Sequence, residues 1–199
     1  SADICNKDAM PNDRARISRR MQNEQAQALG ITFWADVKTL LAFDSADISY
    51  LSSLAECVDF YTHHFFELDT AIRNLYTEFL NQPDLLEPFQ EHYRQLTTIL
   101  LDKWFQYFNQ YREDQTGLLQ RIIDANPNKK IAVIVGDGIA YEIARQVADK
   151  VNSGYPLTKS IILADLPSET ENNMSRVYMD NGVTESVHAN REKYLLEHN

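Results

Sequence analysis

The stretch that decides the fold is KKIAVIVGDGIAYEIARQVADKVN, residues 129–152, taken with SIILADLPSETENNMSRVYM, residues 160–179. Ile131 to Val135 is a continuous, β-branched apolar run, the pattern of a strand buried on both faces. GDG at 136–138 forms a turn-like break, and Ile139 to Val151 is an amphipathic helix stopped by Asn152, Ser153 and Gly154. Ser160 to Ala164 repeats the strand pattern. A loop and a short helix ending at Gly182 follow, and a final helix spans about Ala189 to His198. The expectation is therefore β-α-β-α, with two parallel strands joined by a right-handed crossover.

Upstream of this region the composition changes. Gly30 and Gly117 are the only glycines before NPNKK (126–130), whereas Gly136, Gly138, Gly154 and Gly182 follow it. Residues 1–128 carry 11 basic and 19 acidic side chains, a net of −8, and residues 129–199 carry 8 and 10, a net of −2. NPNKK is thus the expected joint between a helical domain, 1–128, and an incomplete α/β domain, 129–199. The fold class expected is mixed, α+β with α/β: a long helical hairpin or bundle, then the first part of a parallel-sheet domain.

The helical part is carried by periodicity. Asn12 to Leu29 is polar, clusters Arg14, Arg16, Arg19 and Arg20, and stops at Gly30. Phe33, Trp34, Val37, Leu40 and Leu41 share one side of a short helix. Leu51, Leu54, Val58, Tyr61, Phe65, Leu68, Ile72, Leu75 and Phe79 then alternate spacings of three and four, a heptad seam that requires a partner helix. One helix from Asp47 to Leu80 would span roughly 50 Å at 1.5 Å per residue. Asn81, Gln82 and Pro83 break it. A second helix, starting near Pro83–Pro88, carries Phe89, Tyr93, Leu96, Leu100, Trp104, Tyr107 and Tyr111 on one face, and continues past Gly117 through Ile123. A short break between two such helices favours an antiparallel hairpin.

Ligands of open parallel sheets bind beyond the carboxyl ends of the strands. Asp137 occupies that place after the first strand, and Asp165 with 167–171 after the second. A carboxylate there is a hard oxygen ligand for a divalent metal. A hydroxyl just before a helix lies where backbone N–H groups favour a phosphate, and a metal on that hydroxyl would make it a nucleophile. Thr170 and Ser168 are the two candidates. Ordinary readings compete at each position. Asp-Gly is a common turn, and Ser168 or Thr170 ahead of Glu171 resembles a helix N-cap. GDGIAY is also a partial dinucleotide fingerprint, with Asp165 closing the next strand, but Tyr141 stands where the third glycine belongs. His63 and His64 diverge by about 100° on a helix and cannot share a metal. Asp59, His63 and Glu67 form a stripe outside the seam, expected to be a solvated face.

The run 129–152 followed by 160–179 resembles the opening of a PglZ domain, of the alkaline phosphatase superfamily. Residues 1–128 are similar to the segment preceding that domain in PglZ proteins of BREX phage-defence systems. The resemblance implies a metal-dependent phosphatase or phosphodiesterase with an alkaline-phosphatase-like parallel sheet. It implies Asp137 as metal ligand and Thr170, or failing it Ser168, as nucleophile and metal-bridging group, with zinc as the metal. The family's later aspartate and histidine ligands have no counterpart here, so the chain is expected to be a fragment, inactive by itself and without bound metal. Other defence subunits and a phosphate-containing substrate of the whole protein are the implied partners. The alternative is a helical docking module without catalysis.

The remaining composition sets limits. A formal charge of −10 argues against direct nucleic-acid binding. No apolar run approaches the roughly 20 residues of a membrane helix. SADICNKDAM has no apolar signal core, and its missing initiator Met fits a processed or excised chain. Cys5 and Cys57, far apart, fit a reducing cytoplasm. An unfinished sheet would leave an apolar edge, so self-association is also expected.

Overall fold

The computed structural model describes residues 10–180 and 184–199. Cys5, Gly182 and the side chain of Arg14 lie outside what is described. The chain divides into two compact units, Ser1–Tyr111 with Tyr141–Gln146, and Arg112–Ala140 with Val147–Asn199. The first unit therefore also takes in the start of one later helix.

In the first unit, α1 (Met10–Met21) and α2 (Glu24–Ala28) replace the single helix expected to reach Leu29. Asn23 explains the break, because its side chain accepts from the N–H groups of Gln25 and Ala26 and caps α2. α3 (Trp34–Ala42) buries Val37, Leu40 and Leu41, and α4 (Ser45–Ser49) buries Ile48. The long seam begins at Leu54 rather than Asp47. Ser53 caps α5 (Leu54–Phe60) by accepting from the Glu56 N–H at 3.2 Å, while Glu56 accepts from the Ser52 N–H at 2.7 Å. A π-helical turn, Tyr61–Phe65, then leads into α6 (Phe66–Glu78).

α7 (Pro83–Gln106) returns along α5 and α6, with Pro83 in its first turn where no N–H partner is lost. Its far end closes on the start of α5. Lys103 Nζ donates to the Leu51 carbonyl at 3.1 Å, and Gln110 Oε1 accepts from the Leu54 N–H at 2.9 Å. α7 stops at Gln106 instead of running on past Gly117, and one 3-10 turn, Phe108–Gln110, follows. The core of the unit joins Leu40, Leu41, Phe65, Leu68, Leu75 and Leu86.

The first half of α9 (Tyr141–Asn152) completes this unit. Glu142 is buried and paired with Arg73, the Tyr141 hydroxyl donates to the Thr62 carbonyl at 3.0 Å, and the Arg145 guanidinium lies 5.1 Å from the Phe66 ring centre. Beside them, Asp69 accepts from the hydroxyls of Tyr61, at 2.7 Å, and Tyr93, at 2.9 Å.

The second unit contains α8 (Leu118–Asp124), α10 (Thr170–Tyr178) and α11 (His188–Glu197) around Leu119, Tyr178 and Met179. Gly117 starts α8 with φ +68°, and its N–H donates to the Arg176 carbonyl at 2.7 Å. That left-handed turn favours glycine.

Among the described residues the expected parallel sheet is absent, and with it the α/β and alkaline-phosphatase-like fold class. Among the described residues there is no strand, and 131–135 and 160–164 have no regular secondary structure. Ile134, expected in the middle of a buried strand, is 96% exposed. Leu163 exchanges backbone contacts with Asp114: its N–H donates to the Asp114 carboxylate at 2.5 Å and its carbonyl accepts from the Asp114 N–H at 3.2 Å. β-branched runs favour extended backbone, but a strand exists only through hydrogen bonds to a neighbouring strand. No described helix is long and apolar enough to cross a membrane.

Candidate functional site

α10 opens with Thr170, and Glu169 before it is the N-cap, without a side-chain capping bond. Neither Ser168 nor Thr170 serves as the cap. The Thr170 hydroxyl instead donates to Asp137 Oδ2 at 3.3 Å, and both residues are exposed. Asp137 is placed by its turn, because Gly138 after it adopts φ +65° and redirects the chain toward α9. Ser168 is exposed two residues upstream of Thr170, where its Oγ accepts from Asn173 Nδ2 at 3.2 Å. The structure thus brings Asp137 and Thr170 together, while Ser168 faces a different partner.

Asp165 has a different role from Asp137, although both follow apolar β-branched runs. Its Oδ2 accepts from Asn172 Nδ2 at 2.5 Å and from Arg176 Nε at 2.8 Å, and its Oδ1 accepts from the Leu166 N–H at 3.0 Å. The Asn172 bond, helped by those from Leu166 and Arg176, outweighs partial burial and holds this carboxyl below the usual carboxylate range. A carboxylate so engaged is not open to a ribose, which removes the acidic partner of the dinucleotide reading.

The residues that organise this region were not legible as site residues. Arg176 also donates to Thr116 Oγ1 at 3.2 Å and lies 3.9 Å from Glu113 Oε2. Gln115 is buried and donates to the Asn173 carbonyl at 2.7 Å. These partners are 58 to 63 positions apart. The only sequence signal was the spacing of Asn172 and Arg176 on one helical face behind a lone aspartate.

Chemically, two oxygens converge. An aspartate carboxylate in water is too weak a base to ionise an aliphatic hydroxyl, so the pair needs a further electrophile to make a nucleophile. Tetrahedral zinc takes four ligands, and Asp137 with Thr170 offers two. Among the described residues no group of three His, Cys, Asp or Glu side chains could hold a metal ion. The residues present therefore do not by themselves fit zinc, and no catalytic step follows from them through a metal. The histidine stripe adds nothing here: His63 pairs with Asp59 at 3.1 Å on an exposed face, and Glu67 is exposed nearby on the same helix.

No family model, no curated protein and no solved structure matches this chain.

Proposed function

We propose that this chain carries part of a PglZ-type metal-dependent phosphohydrolase site, with Asp137 as a metal ligand and Thr170 as the hydroxyl that meets phosphate. The single observation behind this reading is the 3.3 Å approach of Thr170 Oγ1 to Asp137 Oδ2 at the first residue of α10. The order strand-like run, Asp-Gly, helix, strand-like run, Leu-Pro-Ser-x-Thr-Glu supports it independently. The parallel sheet is not part of the proposal. By donor count, any working site draws its remaining ligands from outside the described residues. A BREX-type defence assembly, in the cytoplasm, is the proposed setting; the buried free thiol of Cys57 is compatible with a reducing compartment.

The test is metal-dependent hydrolysis of bis(p-nitrophenyl) phosphate by the full-length gene product, wild type against Asp137→Asn and Thr170→Val. Loss of about 10²-fold or more in either variant, the scale for removing one stabilising group from an active site, supports the reading. Unchanged hydrolysis in both variants overturns the assignment.

A second reading, a helical docking module for other defence subunits, is favoured by one specific feature. Phe105, at the end of α7, is 67% exposed and lies 6.5 Å from the exposed Phe108 ring. Absence of any metal-dependent hydrolysis, combined with loss of defence-complex co-purification on Phe105→Ser, selects this reading over the first.

A further inference from the structure

We infer that Asp165 is a positioning residue: it sets the rotation of α10 about its own axis and so aims the Thr170 hydroxyl at Asp137. The inference rests on the Asp137–Thr170 reading above.

The argument is geometric. Asn172 and Arg176 are four apart, so they share one face of α10, and both donate to the same oxygen, Asp165 Oδ2. Two bonds one turn apart fix the orientation of this face of α10, adding to the hold that buried Ser175 takes on its other side, where its hydroxyl accepts from the Glu185 N–H at 2.8 Å and from Arg191 Nε at 3.2 Å. The main chain adds a third point, because the Asp165 N–H donates to Asn173 Oδ1 at 2.9 Å. Thr170 precedes Asn172 by two residues and therefore emerges about 200° around the helix, at 100° per residue. A helix gripped on the Asp165 face consequently presents Thr170 on the other.

The grip is braced from behind. Arg176 reaches Thr116 and Glu113, and Gln115 donates to both the carbonyl and, at 3.0 Å, the Oδ1 of Asn173. The loop between Asp165 and Thr170 is tied to α10 as well, because Asn173 Nδ2 donates to Ser168 Oγ at 3.2 Å. With three donors on its carboxylate, Asp165 is committed to the protein. It is thus not a third metal ligand beside Asp137, despite its matching place in the sequence.

The test is the nuclear Overhauser contact between the Thr170 methyl group and the Asp137 β-protons, in protein labelled at threonine methyls. The wild-type chain should show it. In Asp165→Ala it should be lost while contacts among Leu119, Tyr178 and Leu195 persist, showing that the second unit is still folded. A purely structural role would lower the melting temperature and leave the Thr170 contact in place, and that result overturns the inference while sparing the Asp137–Thr170 pair. Absence of the contact in the wild type overturns both. If Asp165→Ala does not fold, Asn172→Ala removes one of the two gripping bonds and is scored in the same way: a weakened contact supports the inference and an unchanged one defeats it.

Discussion

Arg73 on α6 holds the carboxylate of Glu142 on α9 through two nitrogens, Nε at 2.7 Å and Nη2 at 2.5 Å, and Glu142 is only 2% exposed. The pair fastens the first turn of α9 to the helical unit, with Tyr141 and Arg145 on either side. A carboxylate this deeply buried is tolerated because two guanidinium nitrogens converge on one of its oxygens, Oε1, and supply the opposite charge.

Removing one partner should therefore be worse than removing both. Arg73→Met leaves Glu142 buried and uncompensated, at a cost of about 1–3 kcal/mol given that Arg73 itself is partly solvated. Arg73→Met with Glu142→Leu should recover most of that loss. Urea denaturation of the two variants decides it; a double variant less stable than Arg73→Met would refute the account.

The hydroxyls on Asp69 predict an alkaline transition. Burial first, then the Asp69 carboxylate, push the Tyr93 phenol up to about 12 from 10.0, and the same causes raise Tyr61 further. The unfolded chain releases these protons first, so their contribution to stability is complete below pH 10 and is lost as pH rises toward 12. Tyr61→Phe with Tyr93→Phe should flatten stability against pH across that window, measured by denaturant midpoints. A slope equal to wild type would rule the network out as its source.

Core and surface leucines should separate cleanly. Leu68 is fully buried among Leu40, Phe65 and Ile72, and Leu68→Ala should cost about 2–5 kcal/mol through transfer and cavity terms. Leu80, 77% exposed two residues beyond α6, should change stability by less than about 0.5 kcal/mol when replaced by Ala. Comparable losses at both sites would contradict the packing.

Ile134→Asp tests the missing sheet. In a strand buried on both faces, an unpaired carboxylate would cost several kcal/mol. At 96% exposure the substitution should move the denaturation midpoint by less than about 0.5 kcal/mol. A large destabilisation would mean that Ile131–Val135 is packed after all.

Much of the helical half could be read from local pattern. Leu68, Ile72, Leu75 and Phe79, expected on one seam, are all buried. Earlier along that seam the register slips. Cys57 and, within the π-helical turn, Thr62 are buried where the alternating spacing points to Val58 and Tyr61, although Leu54 and Phe65 on either side keep to the seam. Thr62 bonds back to the Val58 and Asp59 carbonyls, at 2.9 and 3.2 Å, within that turn. The start at Leu54 was also present in the sequence, as the Ser53-x-x-Glu56 capping pattern, but the apolar seam running through Leu51 masked it. The Arg73–Glu142 and Asp114–Leu163 contacts left no such trace, since their partners are 69 and 49 positions apart.

The sequence by itself determined that the first unit is helical, though not where each helix starts and stops, because a helix closes its hydrogen bonds within four residues and its apolar stripe is written at that same short range. It also singled out Asp137, Thr170, Ser168 and Asp165 as the polar groups beside two apolar runs. Only the tertiary structure decided that those runs lack a ladder, since a strand's hydrogen bonds depend on a partner that its own residues do not specify. It likewise separated two aspartates of the same type: Asp165 is surrounded by donors from α10, whereas Asp137 meets a single hydroxyl, and only distant chain brought into contact could make that difference.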